Sequence, residues 1–132
     1  MLLKINFSLK MKSIKKIVIK DNPDAEKDSK RVVAEITKED GKVKLVRFGL
    51  HNSGGTYFDG ATDEKRKNYN NRHGKMNEKW GPEGVCTAGF YSRWVLWESR
   101  SKAGIKKAIK EHSGVNNVTI GTLKKIKVTK PN

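Results

Sequence analysis

Three features of the 132-residue chain predict an α+β fold. Up to about residue 62, β-branched residues alternate with polar ones, the period of a strand. Beyond that point apolar residues recur at three- and four-residue spacing, the period of a helix. The segment "TAGFYSRWVLW" at 87–97 supplies the large apolar volume that a small sheet needs as a cover. The predicted architecture is a small antiparallel sheet packed by an aromatic-rich helix, with two further basic helices.

Residues 1–12 are expected to form a flexible arm, with Met11 as an alternative start, and residues 13–132 a single α+β nucleic-acid-binding domain. In "SIKKIVIK" (13–20), Ile14, Ile17 and Ile19 stand among lysines as a strand with imperfect alternation. A polar, turn-rich loop around Pro23 follows. The β-branched runs 31–37 and 42–48 flank "KEDGK", where Asp40-Gly41 supplies positive φ at low cost, so the segment is expected to be a β-hairpin. In its second strand Val43, Leu45 and Arg47 share one side, and Lys42, Lys44, Val46 and Phe48 the other. This alternation separates a buried from a basic face only in part. Residues 49–60 form a Gly-rich loop around Tyr57 and Phe58.

Thr62 or Asp63 can cap a helix over "DEKRKNYNNRHGK", because a short side-chain oxygen accepts the free N–H groups of the first turn. Asp63 and Glu64 at its start, and Arg72 and His73 at its end, suit the helix dipole, and Gly74 is its expected C-cap. A loop with Trp80 and Gly81-Pro82 leads to Thr87, the cap of the aromatic helix. A third helix runs from Ser101 to about His112, with Ile105, Ala108, Ile109 and His112 at helical spacing and Gly114 as its stop. Val118, Ile120, Ile126 and Val128 are expected in one or two short strands.

The charge balance speaks to partners. Lys and Arg number 29 against 14 Asp and Glu, a net charge of +15, and the mean hydropathy is −0.75. The surplus is spread along the chain: residues 1–62 carry 13 basic and 8 acidic groups, residues 63–113 carry 12 and 6, and residues 114–132 carry 4 and none. The folded body must therefore be positive, and such a surface attracts polyanions. The one cysteine, Cys86, excludes an internal disulfide framework and the spaced Cys/His sets of structural zinc sites, and it is expected to pack as a small apolar group. The apolar start "MLLKINFSLKMK" is broken by Lys4 and too short for a secretory signal, and no apolar run reaches the roughly 20 residues of a membrane span. "NSGGTYFDG" lacks the Gly spacing and the Lys-Ser/Thr pair of a phosphate-binding loop. A metal nuclease would have to draw on Asp59, Asp63, Glu64 and His73, and no other constellation suggests catalysis. His112, on an apolar helix face, is expected to be a satisfied, partly buried side chain rather than a ligand.

Candidate contacts to a polyanion fall on the basic helices. Lys65, Tyr69 and Arg72 lie at i, i+4 and i+7, with His73 alongside and Arg66 and Lys67 flanking. Guanidinium, ammonium and phenol groups in one row suit phosphate oxygens or a groove wall. The competing reading docks Tyr69 into the core and pairs Arg72 with Glu78 or Glu83. Lys102, Lys106 and Lys110 form a second row, and Lys124 and Lys125 in the tail add sequence-independent contacts. Phe90, Trp94 and Trp97 fall at i, i+4 and i+7, with Tyr91 and Val95 beside them and Leu96 nearly opposite, so the helix has apolar groups on several sides and is expected to be central. Either all these aromatics are core, or Trp97 or Tyr91 lies at an edge and stacks on a base or packs in a dimer seam. On a helix Arg93 should point outward, its stem covering the core and its guanidinium meeting solvent or a phosphate.

"RFG" at 47–49, "DEKRKNYNNRH" at 63–73, Trp80 and "TAGFYSRWVLW" at 87–97 resemble a family of small Lys-rich proteins of large eukaryotic (nucleocytoplasmic) DNA viruses, a family without an assigned function. The shared pattern joins a Y-x-x-RH element to TAGF-x-SRW-x-LW and covers residues 45–113. The longer "HNSGGTYFDGAT" loop and "ESRSKAGIKK" after the tryptophans depart from it. The resemblance implies a viral setting, in the virion or in the cytoplasm or nucleus of an infected cell, and not secretion.

The expected function is non-catalytic, largely sequence-nonspecific binding of nucleic acid, double-stranded DNA in preference to RNA, as a virion-associated or genome-compacting protein. The alternative is a protein-interaction module or homodimeric adaptor for an acidic host or viral partner. No enzyme activity, cofactor, metal, membrane or small-molecule substrate is expected.

Overall fold

Asp40 and Gly41 turn the chain as their chemistry requires. Gly41 takes φ +88°, its N–H donates to the Lys38 carbonyl (2.9 Å), and the Asp40 carboxylate accepts from the Lys42 N–H (2.9 Å). The turn joins β2 (Lys30–Lys38) to β3 (Val43–Leu50) in antiparallel register, with Thr37 opposite Val43 and Val32 opposite Phe48. β1 (Ile14–Asp21) pairs antiparallel with the other side of β2. The computed structural model describes residues 14–51 and 53–129, so the expected arm over residues 1–12 lies outside them.

The imperfect alternation of β1 is a bulge. Ile14 opposes Lys38 and Lys16 opposes Thr37, leaving Lys15 as an extra residue. Past the bulge the pattern regains phase and sends Ile17 and Ile19 into the core, both fully buried. On β3 the buried residues are Val46 and Phe48, while Val43 and Leu45 remain exposed. Gly49 follows in the left-handed region (φ +78°), where a Cβ would meet Leu96 Cδ1 at 2.8 Å and Arg31 Cγ at 2.9 Å. The glycine of "RFG" is therefore a packing requirement of this strand end.

After a single turn α1 (Ala25–Asp28), three helical segments cross from the hairpin to the far edge of the sheet. They are α2 (Asp63–Gly74), α3 (Ala88–Tyr91) and α4 (Lys102–Ser113), with a short 3-10 turn at Pro82–Gly84 ahead of α3. Thr62, one of the two expected candidates, and Thr87 cap α2 and α3, accepting from the N–H groups of Lys65 and Phe90; Ser101, expected as the first residue of the third helix, is instead its N-cap and accepts from the Gly104 N–H. Gly114 (φ +78°) ends α4 in the left-handed conformation. α2 runs through Gly74, and its C-cap is Lys75 in a right-handed conformation rather than the expected glycine.

Two expectations about regular structure are corrected. The sheet is mixed: its order is β3-β2-β1-β4, and β4 (Val118–Ile120) pairs parallel with β1. A three-residue strand carries no signal of pairing direction, so the path of α4, which packs against β4, decides it. Ile126 and Val128 form no strand; that tail is instead tied by the Ile126 N–H to Asp59 (2.8 Å) and by the Thr129 N–H to the Gly54 carbonyl (2.9 Å).

The aromatic segment is not one α-helix. α3 widens after Tyr91 into a π-turn over Ser92–Leu96. Phe90, Tyr91, Val95 and Leu96 are buried against Ile17, Ile19, Val32, Ala34, Ile36 and Phe48 of the sheet and Ile105 and Ile109 of α4. Each such side chain contributes about 1.5–3 kcal/mol of burial. Tyr91 stands 5.6 Å from Phe48, ring centre to ring centre, and 4.9 Å edge-on from Phe90. Among the described residues no helix is long and apolar enough to cross a membrane.

Candidate nucleic-acid interface

α2 has almost no apolar face, and its single buried residue is Tyr69. A helix polar all round needs an anchor outside itself. Tyr69 provides it, stacked between Trp97 (4.5 Å, 7° between planes) and His73 (4.0 Å, 24°). Burial, and then the Glu78 charge, push the Tyr69 phenol up to about 12, so it stays protonated at neutral pH. His73 is held in turn by the Glu78 carboxylate. The row expected on this helix therefore splits. Tyr69 is inside a stack and unavailable to a ligand, and His73 forms the outer layer of that stack, half-buried; Lys67 and Arg72 are exposed, and Lys65 is half-buried. Of the competing reading, the docking of Tyr69 into the core is observed, whereas Arg72 forms no ion pair with Glu78 or Glu83 and Glu78 is held by His73.

Arg66 is also spent on structure. Its Nε donates to the Trp97 carbonyl (3.1 Å) and its Nη2 to Glu98 Oε1 (2.9 Å). The same carboxylate accepts from Arg93 Nη1 at 2.8 Å, and Arg93 also donates to the Trp97 carbonyl. Burial pushes the Glu98 carboxyl up, but the two guanidinium groups outweigh it and hold it below the usual carboxylate range.

The outward Arg93 expected from helical phase is corrected. Its side chain is 11% exposed and lies over the rings of Trp94 (4.3 Å) and Trp80 (5.4 Å). The π-turn rotates residues after Tyr91 out of α-helical phase, and Glu98 compensates the charge that is turned inward. Trp94 stacks on His112 at 3.6 Å with 5° between planes, and its indole N–H donates to the Trp80 carbonyl (2.8 Å). Phe90, Tyr91 and Trp94 are buried, so Tyr91 offers no base-stacking edge or dimer seam; Trp97 is half-buried, with one face covered by Tyr69.

α4 contrasts with α2. It buries Ile105, Ala108 and Ile109, and its opposite side exposes Lys102, Lys106 and Lys110. Lys124 and Lys125 are exposed on the tail. Among the described residues these five lysines, with Lys65, Lys67 and Arg72, form no ion pair. Several carboxylates are meanwhile paired elsewhere: Asp28 with Arg47 and Glu35 with Lys20 at the surface, Asp59 with Arg31 inside, and Glu98 with Arg66 and Arg93. None of these carboxylates pairs with a lysine of α4, whose cations stand without a salt-bridge partner among the described residues.

One polar centre has no local signature in the sequence. The Asp59 side chain is fully buried and accepts from Arg31 Nη1 (2.6 Å) and Nη2 (2.9 Å), the Thr56 N–H (2.8 Å), the Thr56 hydroxyl (2.9 Å) and the Ile126 N–H (2.8 Å). Arg31 Nη2 also donates to the Lys124 carbonyl (3.1 Å). Burial pushes the Asp59 carboxyl up, and these donors reverse that to a lowered pKa. The centre clamps the Gly-rich loop, β2 and the tail together. The nuclease constellation is dispersed: Asp59 belongs to Arg31, Asp63 accepts from the Tyr57 hydroxyl (2.8 Å), and His73 faces Glu78. Among the described residues no group of three or more His, Cys, Asp or Glu is arranged to hold a metal ion.

No protein-family model, curated protein or solved structure matches this chain.

Proposed function

We propose that this chain is a non-catalytic nucleic-acid-binding protein that holds double-stranded DNA largely without regard to sequence. The observation that carries the reading is the Lys102, Lys106 and Lys110 row, exposed on a helix whose other side is core and free of acidic partners among the described residues. Lys67 and Arg72 of α2 and Lys124 and Lys125 of the tail extend the charge. The mechanism is electrostatic: the cations neutralise phosphates and release counterions, so affinity falls steeply with salt. The motif resemblance supports a setting in a large DNA virus, in the virion or the infected cell, where the protein would be virion-associated or genome-compacting.

The test is fluorescence anisotropy of a labelled duplex, a scrambled duplex and a single strand at about 50–300 mM salt. Micromolar or tighter binding, indifferent to the scramble and with a steep log–log salt slope, is the expected result. Absence of binding at the lowest salt would overturn it. A second reading, an interaction module for an acidic protein, draws on edge strand β3, where Val43 (57% exposed), Leu45 (43%) and Leu50 (62%) stand beside Lys42, Lys44 and Arg47. Reversing Lys102, Lys106 and Lys110 to Glu separates the two: a DNA binder loses most of its affinity, whereas a β3-mediated complex survives.

A further inference from the structure

The Gly-rich loop presents two aromatic rings to a cluster of cations. The Arg66 and Arg100 guanidinium carbons both lie over the Tyr57 ring, at 4.9 and 4.1 Å from its centre. Lys125 Nζ lies over the adjacent Phe58 ring at 4.7 Å. Main-chain carbonyls hold these groups in place: Arg100 Nη2 donates to Ala61 (2.7 Å) and Lys125 Nζ to Arg100 itself (2.6 Å). Four parts of the chain thus meet at one corner: the loop, the start of α2, the residue before the α4 cap, and the tail.

Three facts distinguish this corner from an ordinary structural bracket. First, the Glu98 carboxylate is neutralised by Arg66 and Arg93, while Asp63 keeps its charge, accepts from the Tyr57 hydroxyl and forms no ion pair with Arg100 or Lys125. Second, Arg100 and Lys125 are exposed and form no ion pair among the described residues. Each shows a hydrogen bond to a single carbonyl, although a guanidinium has five N–H donors and an ammonium three. Third, both cations have fixed contacts, Arg100 with the Ala61 carbonyl and the Tyr57 ring and Lys125 with the Arg100 carbonyl and the Phe58 ring. Side chains held before binding lose less entropy when a ligand arrives.

We infer that Arg100 and Lys125, presented by Tyr57 and Phe58, form a phosphate-binding site. Its ligand is a phosphate group: the guanidinium offers paired N–H donors and Lys125 a point charge. The inference rests on the nucleic-acid reading for its biological source, in that the phosphate would belong to a DNA strand running past the starts of α2 and α4. Binding of a small anion at this corner does not depend on that source.

The first experiment titrates inorganic phosphate into the full chain at constant ionic strength and follows Arg100 Nε–H and the Tyr57 amide by heteronuclear NMR. Saturable shifts are expected in the wild type. Arg100→Gln/Lys125→Gln should weaken binding about tenfold or more, the order expected for losing charge-assisted hydrogen bonds. Lys102→Gln/Lys106→Gln, which removes the same charge from the α4 row, should leave the phosphate titration saturable. Absence of a saturable shift in the wild type, or equal weakening in the two double variants, overturns the site. If loss of Arg100 unfolds the chain, Lys125→Gln alone carries the comparison, since its single hydrogen bond to a carbonyl is solvent-exposed.

A second arm uses duplexes with and without 5′-phosphates. Loss of about one unit of salt slope in Arg100→Gln/Lys125→Gln on both duplexes assigns the site to backbone phosphates. Loss confined to the phosphorylated duplex assigns it to strand ends. Phosphate binding without any duplex binding would refute the DNA reading while leaving the site intact, and duplex binding with unaltered salt slope in the variant would refute the site while leaving the DNA reading intact.

Discussion

α2 and α4 are both 12-residue basic helices with a Ser or Thr cap, and their sequences suggest equivalent roles. Their attachment to the rest of the molecule differs. α4 lays Ile105, Ala108 and Ile109 into the core, so its lysines are structurally idle. α2 has one buried side chain, and two of its polar groups, Arg66 and His73, are committed to holding it in place. A helix with an apolar face can give all its charge to a partner, whereas a helix without one must spend charge on its own docking.

The largest expected effect is on the α2 anchor. Tyr69→Ala removes the ring between His73 and Trp97 and should destabilise the protein by about 3–5 kcal/mol, as for other buried aromatics truncated to Ala. Native-state hydrogen exchange should show α2 amides losing protection while those of α4 keep theirs. Equal loss in both helices would break the comparison.

Next comes Glu98, whose carboxylate links α2 to the π-turn through Arg66 and Arg93. Glu98→Ala strands a nearly buried guanidinium and should cost about 1–3 kcal/mol in urea unfolding. The pH dependence has the same origin. The Glu98 and Asp59 carboxyls both have lowered pKa values in the folded state, so the unfolded chain takes up protons first. Their stabilisation is complete above the unfolded carboxylate range and is lost as pH falls below about 4. Unfolding midpoints measured from pH 7 to 3 should drop for the wild type, and Asp59→Asn should flatten that curve while lowering stability at neutral pH.

The smallest effects on stability belong to α4, where those on binding are largest. Lys102→Gln/Lys106→Gln/Lys110→Gln should shift stability by no more than about 0.5 kcal/mol per site. The same variant should lower the salt slope of duplex binding by about 0.9 for each phosphate that is no longer neutralised. Lys67→Gln/Arg72→Gln on α2 should act in the same direction and more weakly. A larger slope change from α2 than from α4 would reverse that order.

Of the candidate binding residues, the α4 row is legible in the sequence because one helix fixes its own phase: Ile105, Ala108 and Ile109 on one side leave Lys102, Lys106 and Lys110 on the other. The α2 row is not, because the phase of a helix with one apolar residue is ambiguous. Arg93 misleads because α-helical phase does not carry through a segment that widens to a π-turn. Arg100 and the Tyr57 corner give no signal, since their partners lie tens of residues apart in the chain.

What the sequence alone determined is local: the Asp40-Gly41 hairpin, the caps at Thr62 and Thr87, the Gly114 stop, and the presence of a large aromatic surface beside a β-rich half. These depend on interactions within a few residues, which composition and spacing express directly. The tertiary structure decided the parallel entry of β4, the inward turn of Arg93, the Arg31–Asp59 clamp across 28 residues and its link to Lys124 across 93. Charges of either sign look like surface in a sequence. Only when the fold has brought an Arg and an Asp together out of water does mutual compensation let both be buried, and the cations left without such a partner are the ones that remain to meet a ligand.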